Sequence, residues 1–102
     1  MKKVIIDTDI GEDIDDIWAL SLILSIDLFD VKMISLTQGD VEYKSKIVAK
    51  MLQILNREDI IIAKGVSTNL SNAIYPQIRW IQDFKLEEYK GRIVDNYYVV
   101  TI

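Results

Sequence analysis

Apolar residues along this chain fall into short runs with two distinct periods. Val4-Ile5-Ile6 runs without alternation, so Val4–Asp9 reads as a short strand buried on both faces. From Asp13 to Leu28 the positions Ile14, Ile17, Trp18, Leu20, Leu22, Ile23, Leu24 and Ile26 cover most of a helical circumference, which predicts a deeply buried helix. Asp13, Asp15 and Asp16 suit its first turn, beside the positive end of the helix dipole. Val31–Thr37 reads as a second strand. Val41–Leu55 is amphipathic, with Ile47, Val48, Met51, Leu52 and Leu55 on one side and Glu42, Lys46, Lys50 and Gln53 on the other. Asn56 suits the left-handed position that closes such a helix. Ile60–Ala63 reads as a third buried strand.

Strand, helix, strand, helix, strand with short links predicts an α/β fold: a three-layer, open, mainly parallel sheet of Rossmann-like type, built from right-handed crossovers. Each strand is followed by a glycine, Gly11, Gly39 and Gly65. Ligands of open α/β sheets bind beyond the carboxyl ends of the strands. Residues 1–66 form this β-α-β-α-β core, and 67–102 a divergent tail of the same single domain. In the tail, Ser67-Thr68-Asn69 and Ser71-Asn72 read as loop and Ile74–Tyr89 as one broken helix. Arg92–Ile102 ends in the strand formers Tyr97-Tyr98-Val99-Val100-Thr101-Ile102.

The chain has 102 residues, half of them hydrophobic, with one proline and no cysteine. That composition excludes disorder, a disulfide framework and a thiolate metal site. Only three apolar residues follow Lys2-Lys3 before Asp7, too few for a signal-peptide core, and no apolar run is long enough for a membrane span. A cytoplasmic protein without a membrane partner is expected. The sequence holds no histidine, which removes the commonest general acid/base and any imidazole ligand. No basic patch with interleaved aromatics is present, so nucleic acid is not an expected partner.

Charge changes the picture most. The net charge is −4, yet residues 7–16 alone carry −6, so the rest of the chain is at +2. Asp7, Asp9, Glu12, Asp13, Asp15 and Asp16 follow the first strand directly. Two unit charges about 4 Å apart repel by roughly 4 kcal/mol at the effective dielectric of a protein surface, so such a cluster calls for protons or a cation. An all-oxygen cluster suits a hard cation such as Ca²⁺ or Mg²⁺. Thr37-Gln38-Gly39-Asp40 lies at the carboxyl end of the second strand and faces the same region.

The run from Val4 to Leu20, with Asp7-Thr8-Asp9-Ile10-Gly11 and Asp15-Asp16, resembles the signature of the inosine–uridine-preferring nucleoside hydrolases. In that family a first strand ends in Asp-x-Asp-x-Gly and an Asp-Asp pair opens the first helix. The likeness continues through Ile34–Val41, Leu55–Ile60 and Ala63-Lys64-Gly65, and fades beyond Gly65. The resemblance implies Asp9 as calcium ligand and as the base that takes a proton from the metal-bound water. It implies Asp16 as a further ligand, Asp7 as a supporting carboxylate at the metal, and Asp15 as a ribose contact, with Asp40 near the sugar. The implied reaction is hydrolysis of the N-glycosidic bond of a ribonucleoside.

Three departures accompany the likeness. Glu12-Asp13-Ile14 stands where one residue is usual, so either Asp13 or Asp15 faces the site. Asp40 replaces the usual asparagine. Family members are several times longer, and their distal Asp and leaving-group histidine lie in segments absent here. The resemblance therefore implies the amino-terminal part of such an enzyme, incomplete as an isolated chain.

Two other function classes fit the strand-end carboxylates. One is a non-catalytic metal- or nucleoside-binding remnant, or a subunit of a split enzyme. The other is a haloacid-dehalogenase-type phosphatase, with Asp7 as nucleophile and Asp9 as acid/base, although Gly11 and the Asp-Asp pair fit that family poorly. The bland reading is a solvated, capped helix start, which explains one or two carboxylates but not six. Trp18 and Trp80 are expected in the core, and Lys64 as a surface lysine. Three parallel strands leave an unpaired edge and apolar helix faces around Trp18, Leu22 and Ile26. A homo-oligomer or a complementing chain is the expected partner, with Tyr97–Ile102 a candidate extra strand.

Overall fold

The computed structural model describes residues 1–10, 14–37, 39–68 and 74–95. Its elements are β1 (Lys2–Thr8), α1 (Ile14–Ser25), β2 (Phe29–Leu36), α2 (Val41–Ile54), β3 (Ile61–Lys64), α3 (Ile78–Ile81), a 3₁₀ turn at Leu86–Glu88, and β4 (Ile93–Val94). The strands form one sheet in the order β1-β2-β3-β4 with every pair parallel. The open parallel sheet read from the sequence is present, and β4 extends it by a strand.

The sheet is built on a register shift. Val4 pairs with Val31, but Ile5 pairs with Met33, so Lys32 is the extra residue of a bulge. The bulge turns both Val31 and Ile34 toward the same core although they are an odd number of positions apart; both are buried. Ile34, Leu36 and Ile62 from the sheet meet Ile47, Val48 and Leu52 of α2, with Ile10 and Ile60 closing the ends, all fully buried. Removing each large side chain from water contributes roughly 1.5–3 kcal/mol.

Helix α2 is well delimited. Asp40 caps its start, its side chain accepting from the Tyr43 N–H at 3.1 Å. At its end Asn56 takes φ 57°, while the Arg57 N–H reaches the Leu52 carbonyl at 2.8 Å and the Asn56 N–H the Gln53 carbonyl at 3.2 Å. This is the Schellman arrangement expected of Asn56. Ile17 and Ser21 of α1 line one shallow cavity with Met51, Ile54, Leu55 and Trp80, where α1 approaches α2 and α3.

Several expectations are corrected. Helix α1 is not deeply buried: Trp18 is 68 % and Leu22 62 % exposed, and of its described side chains only Leu20 is buried. Its apolar residues surround the helix, whereas only Leu20, with the partly buried Ile17, Ile23 and Leu24, meets the core. Trp18 is thus not a core residue, and Trp80 is partly exposed, its ring lying under the Lys50 ammonium at 4.7 Å. Strand β1 is not covered on both faces. Val4 and Ile6 pack on the core while Ile5 is 60 % exposed, so an unbroken apolar run here masks an alternating strand. Ile74–Tyr89 forms two short helical pieces instead of one broken helix. Ile78, Ile81 and Phe84 recur every third residue and drift off the stripe of a 3.6-residue helix. Lys64 is more than a surface lysine; it bridges Glu42 at 2.5 Å and Asp95 at 3.0 Å. The expected strand at Tyr97–Ile102, like Gly11, Glu12, Asp13 and Gln38, lies outside the described residues.

Candidate functional site

The carboxyl ends of the first three strands are laced together by short polar contacts. The Thr37 N–H donates to the Thr8 carbonyl at 3.1 Å, and the Gly65 N–H to the Leu36 carbonyl at 3.0 Å. Gly39, at φ 66°, exchanges two bonds with Thr68: its N–H donates to Thr68 Oγ1 at 3.0 Å and its carbonyl accepts from the Thr68 N–H at 2.8 Å. Ser67 Oγ accepts from the Val41 N–H at 3.3 Å. Ser67 and Thr68, read as plain loop from the sequence, thus hold the turn that delivers Asp40.

Asp7 lies within β1 and Asp9 just beyond its last residue, Thr8. Asp7 is exposed, and its Oδ1 accepts from the buried Ser35 hydroxyl at 2.7 Å. Asp9 is half-buried. The Ile10 N–H beyond it turns back to Thr8 Oγ1 at 3.2 Å, which fixes the strand exit and drives Ile10 into the core. Asp15 and Asp16 occupy the first turn of α1, Asp15 exposed and Asp16 half-buried. There the helix dipole favours their charge.

Asp40 carries two structural contacts. Oδ1 caps α2, and Oδ2 accepts from the Tyr75 hydroxyl at 3.0 Å. That bond holds the Tyr75 hydroxyl above its ordinary pKa, since the phenolate would face a carboxylate. The Tyr75 ring meets Tyr43 edge-on at 4.8 Å, and the Tyr43 hydroxyl accepts from the Gln77 N–H at 2.8 Å. Burial raises Tyr43 as well, with the Gln77 bond opposing it. A carboxylate offers about four lone-pair positions, so both Asp40 oxygens keep capacity for a further donor.

The least expected group is Lys44. It is only 2 % exposed, and its ammonium donates to the Asp9 carbonyl at 3.2 Å and to the Thr37 carbonyl at 3.4 Å. A cation therefore lies between the ends of β1 and β2. The signal for it was present in the sequence: Lys44 falls on the stripe of Val41, Ser45, Val48 and Leu52, the buried side of α2.

Among the described residues no three carboxylates gather into a set able to hold a metal ion. The convergence of Asp7, Asp9 and Asp16 expected from the sequence is thus not a formed cage, and Glu12 and Asp13 lie outside the described residues. The donors fit a hard divalent cation in kind, because Asp9, Asp16 and the strand-end carbonyls are all oxygen. The described residues include no helix long and apolar enough to cross a membrane.

No curated protein and no solved structure matches the chain. A family model does match, that of the inosine-uridine preferring nucleoside hydrolases, over residues 4–85. This span runs from within β1 through α3 and takes in Asp7, Asp9, Asp15, Asp16 and Asp40. With four-fifths of its length in register with that model, on a parallel sheet that presents the Asp-rich segment at strand ends, the chain belongs to the inosine-uridine preferring nucleoside hydrolase family.

Proposed function

We propose that this chain binds the ribose of a ribonucleoside beyond the ends of β1 and β2 and serves hydrolysis of its N-glycosidic bond. The family match across residues 4–85 carries this reading, since it spans Asp7, Asp9, Asp15, Asp16 and Asp40 together. Asp9 and Asp16, supported by Asp7, would hold a hard divalent cation, the Ca²⁺ that the family resemblance implies. When bound, that ion supplies positive charge that acidifies water and orients sugar hydroxyls. Asp9 accepts the proton of the attacking water, whose oxygen forms the new bond to the anomeric carbon. The bond to the base nitrogen breaks with its electron pair, and positive charge develops on the sugar ring. Asp15 and Asp40 accept hydrogen bonds from ribose hydroxyls, and their negative charge suits that developing charge. Asp7, tied to Ser35, keeps the exit of β1 fixed.

The 102 residues contain no histidine, so no imidazole of this chain protonates the departing base. A general acid is typically worth about 10²–10⁴-fold, and turnover by this chain alone is correspondingly slow. The exposed β1 edge and the Trp18–Leu22 face suit a second copy or a complementing chain.

Calorimetry with inosine and uridine, with and without Ca²⁺, tests the reading. Ca²⁺-dependent nucleoside binding that disappears in an Asp9→Asn, Asp16→Asn double variant is the expected result. No stabilisation and no heat at millimolar Ca²⁺ would refute it. Ribose release at an ordinary enzymatic rate, lost in Asp9→Ala, would refute the slow-turnover part.

A further inference from the structure

A lysine at 2 % exposure is costly to bury unless its charge is used. Lys44 reaches from α2 to the carbonyls of Asp9 and Thr37, the residues at the ends of β1 and β2. Both carbonyls are oxygens that a hard cation at this strand edge would share. In the sequence Asp9 belongs to the chain's local excess of negative charge, residues 7–16 at −6. We infer that the Lys44 ammonium is a tethered resident cation of the site, which takes up strand-end carbonyl donors, offsets one of the cluster's charges and so sets a weak affinity for divalent ions. The inference rests on the metal reading proposed above and deepens it, because Lys44 regulates the same site.

The physical consequence is competition. A divalent ion entering beside Asp9 meets the repulsion of a fixed unit charge close by, in surroundings less screened than bulk water. It also loses the two carbonyls that the ammonium occupies. Removing the charge lifts both penalties and tightens Ca²⁺ binding by about tenfold or more, since each 1.4 kcal/mol is a factor of ten. Any role limited to packing α2 against the strand ends predicts no such gain.

The experiment is Ca²⁺ titration of the full chain by calorimetry, with thermal stabilisation against Ca²⁺ concentration as a second readout. The variants are Lys44→Met, Lys44→Gln and Lys44→Arg. Gln keeps a donor for the carbonyls if Met leaves the chain poorly folded, and Arg keeps the charge. Tighter Ca²⁺ binding in Met or Gln, with Arg close to the parent, supports the inference. Equal affinity in parent, Gln and Arg overturns it while leaving the metal reading intact. Absence of Ca²⁺ binding in the parent and in every variant overturns the metal reading, and this inference with it.

Discussion

Replacing Asp40 separates what this residue does for the fold from what it does for a ligand. Its Oδ1 caps α2 through the Tyr43 N–H at 3.1 Å, and its Oδ2 holds the Tyr75 hydroxyl at 3.0 Å. Loss of an N-cap oxygen costs about 1 kcal/mol, within a range of roughly 0.5–2. The tie to the exposed Tyr75 adds little to this, because solvent screens it. Asp40→Ala therefore loses about 1 kcal/mol. For a domain of this size that lowers Tm by roughly 4–8 °C. Asp40→Asn keeps a cap acceptor and loses mainly the attraction between a negative charge and the helix start, about 0.5 kcal/mol. Tyr75→Phe removes only the tie.

Urea unfolding followed by circular dichroism gives the three values, and ultraviolet titration of the tyrosines adds an independent one. The bond from Tyr75 to Asp40 holds the Tyr75 hydroxyl above its ordinary pKa, so either change at Asp40 moves that titration to lower pH. Asp40→Asn falling as far as Asp40→Ala, or Asp40→Ala within about 0.3 kcal/mol of the parent, would refute the capping argument. The Asn variant then serves the ligand question. Near-parental stability with weakened nucleoside binding is the outcome expected if Asp40 also meets the ribose.

Three further outcomes follow from particular contacts. A Cβ added at Gly91 would lie 2.5 Å from the Tyr89 ring, so Gly91→Ala costs about 1–3 kcal/mol by urea denaturation, and less in a Tyr89→Leu background. Burial pushes the Tyr89 hydroxyl up to about 12, with Glu58 and Asp59 adding to it; the fold favours the neutral phenol, so this stability is complete below pH 10 and is lost as pH rises toward 12. Unfolding measured from pH 8 to 12 would show that loss, about 1–2 kcal/mol, reduced in Tyr89→Phe; parallel curves would refute it. Ser35→Ala and Asp7→Asn should be non-additive, with a coupling of about 0.5–1.5 kcal/mol in a double-mutant cycle, because the Ser35 hydroxyl donates to Asp7 Oδ1 at 2.7 Å; strict additivity would count against that bond.

The parallel sheet was legible because β2, α2 and β3 each announce themselves locally. Helix α2 shows a one-sided apolar stripe, a capping Asp40 and a closing Asn56, and the structure uses all three. The acidic segment was equally legible as a segment, since its position after an apolar run places it at a strand end whatever the tertiary details. Burial was not legible in the same way. Val4-Ile5-Ile6 and the apolar girth of α1 read as covered on all sides, yet Ile5, Trp18 and Leu22 face outward. Hydrophobicity states what a residue prefers; coverage depends on which other elements reach it.

What stayed hidden at the site depends on contacts between residues far apart in sequence. Ser35 meets Asp7 only because β2 pairs with β1 in a register reset by the bulge at Lys32, and no local pattern encodes that shift. Tyr75 reaches Asp40 across 35 positions, and Thr68 reaches Gly39 across 29. Lys44 is the instructive intermediate. Its place on the buried stripe of α2 was visible as a violation of the pattern, a charge where an apolar residue belongs. Burying such a charge without a partner costs so much that the violation itself implies acceptors, and the ends of β1 and β2 supply them. A local rule broken on an otherwise consistent helix thus points to the strand ends, where the Asp-rich segment also lies, and ties the two features of this sequence that packing alone does not explain.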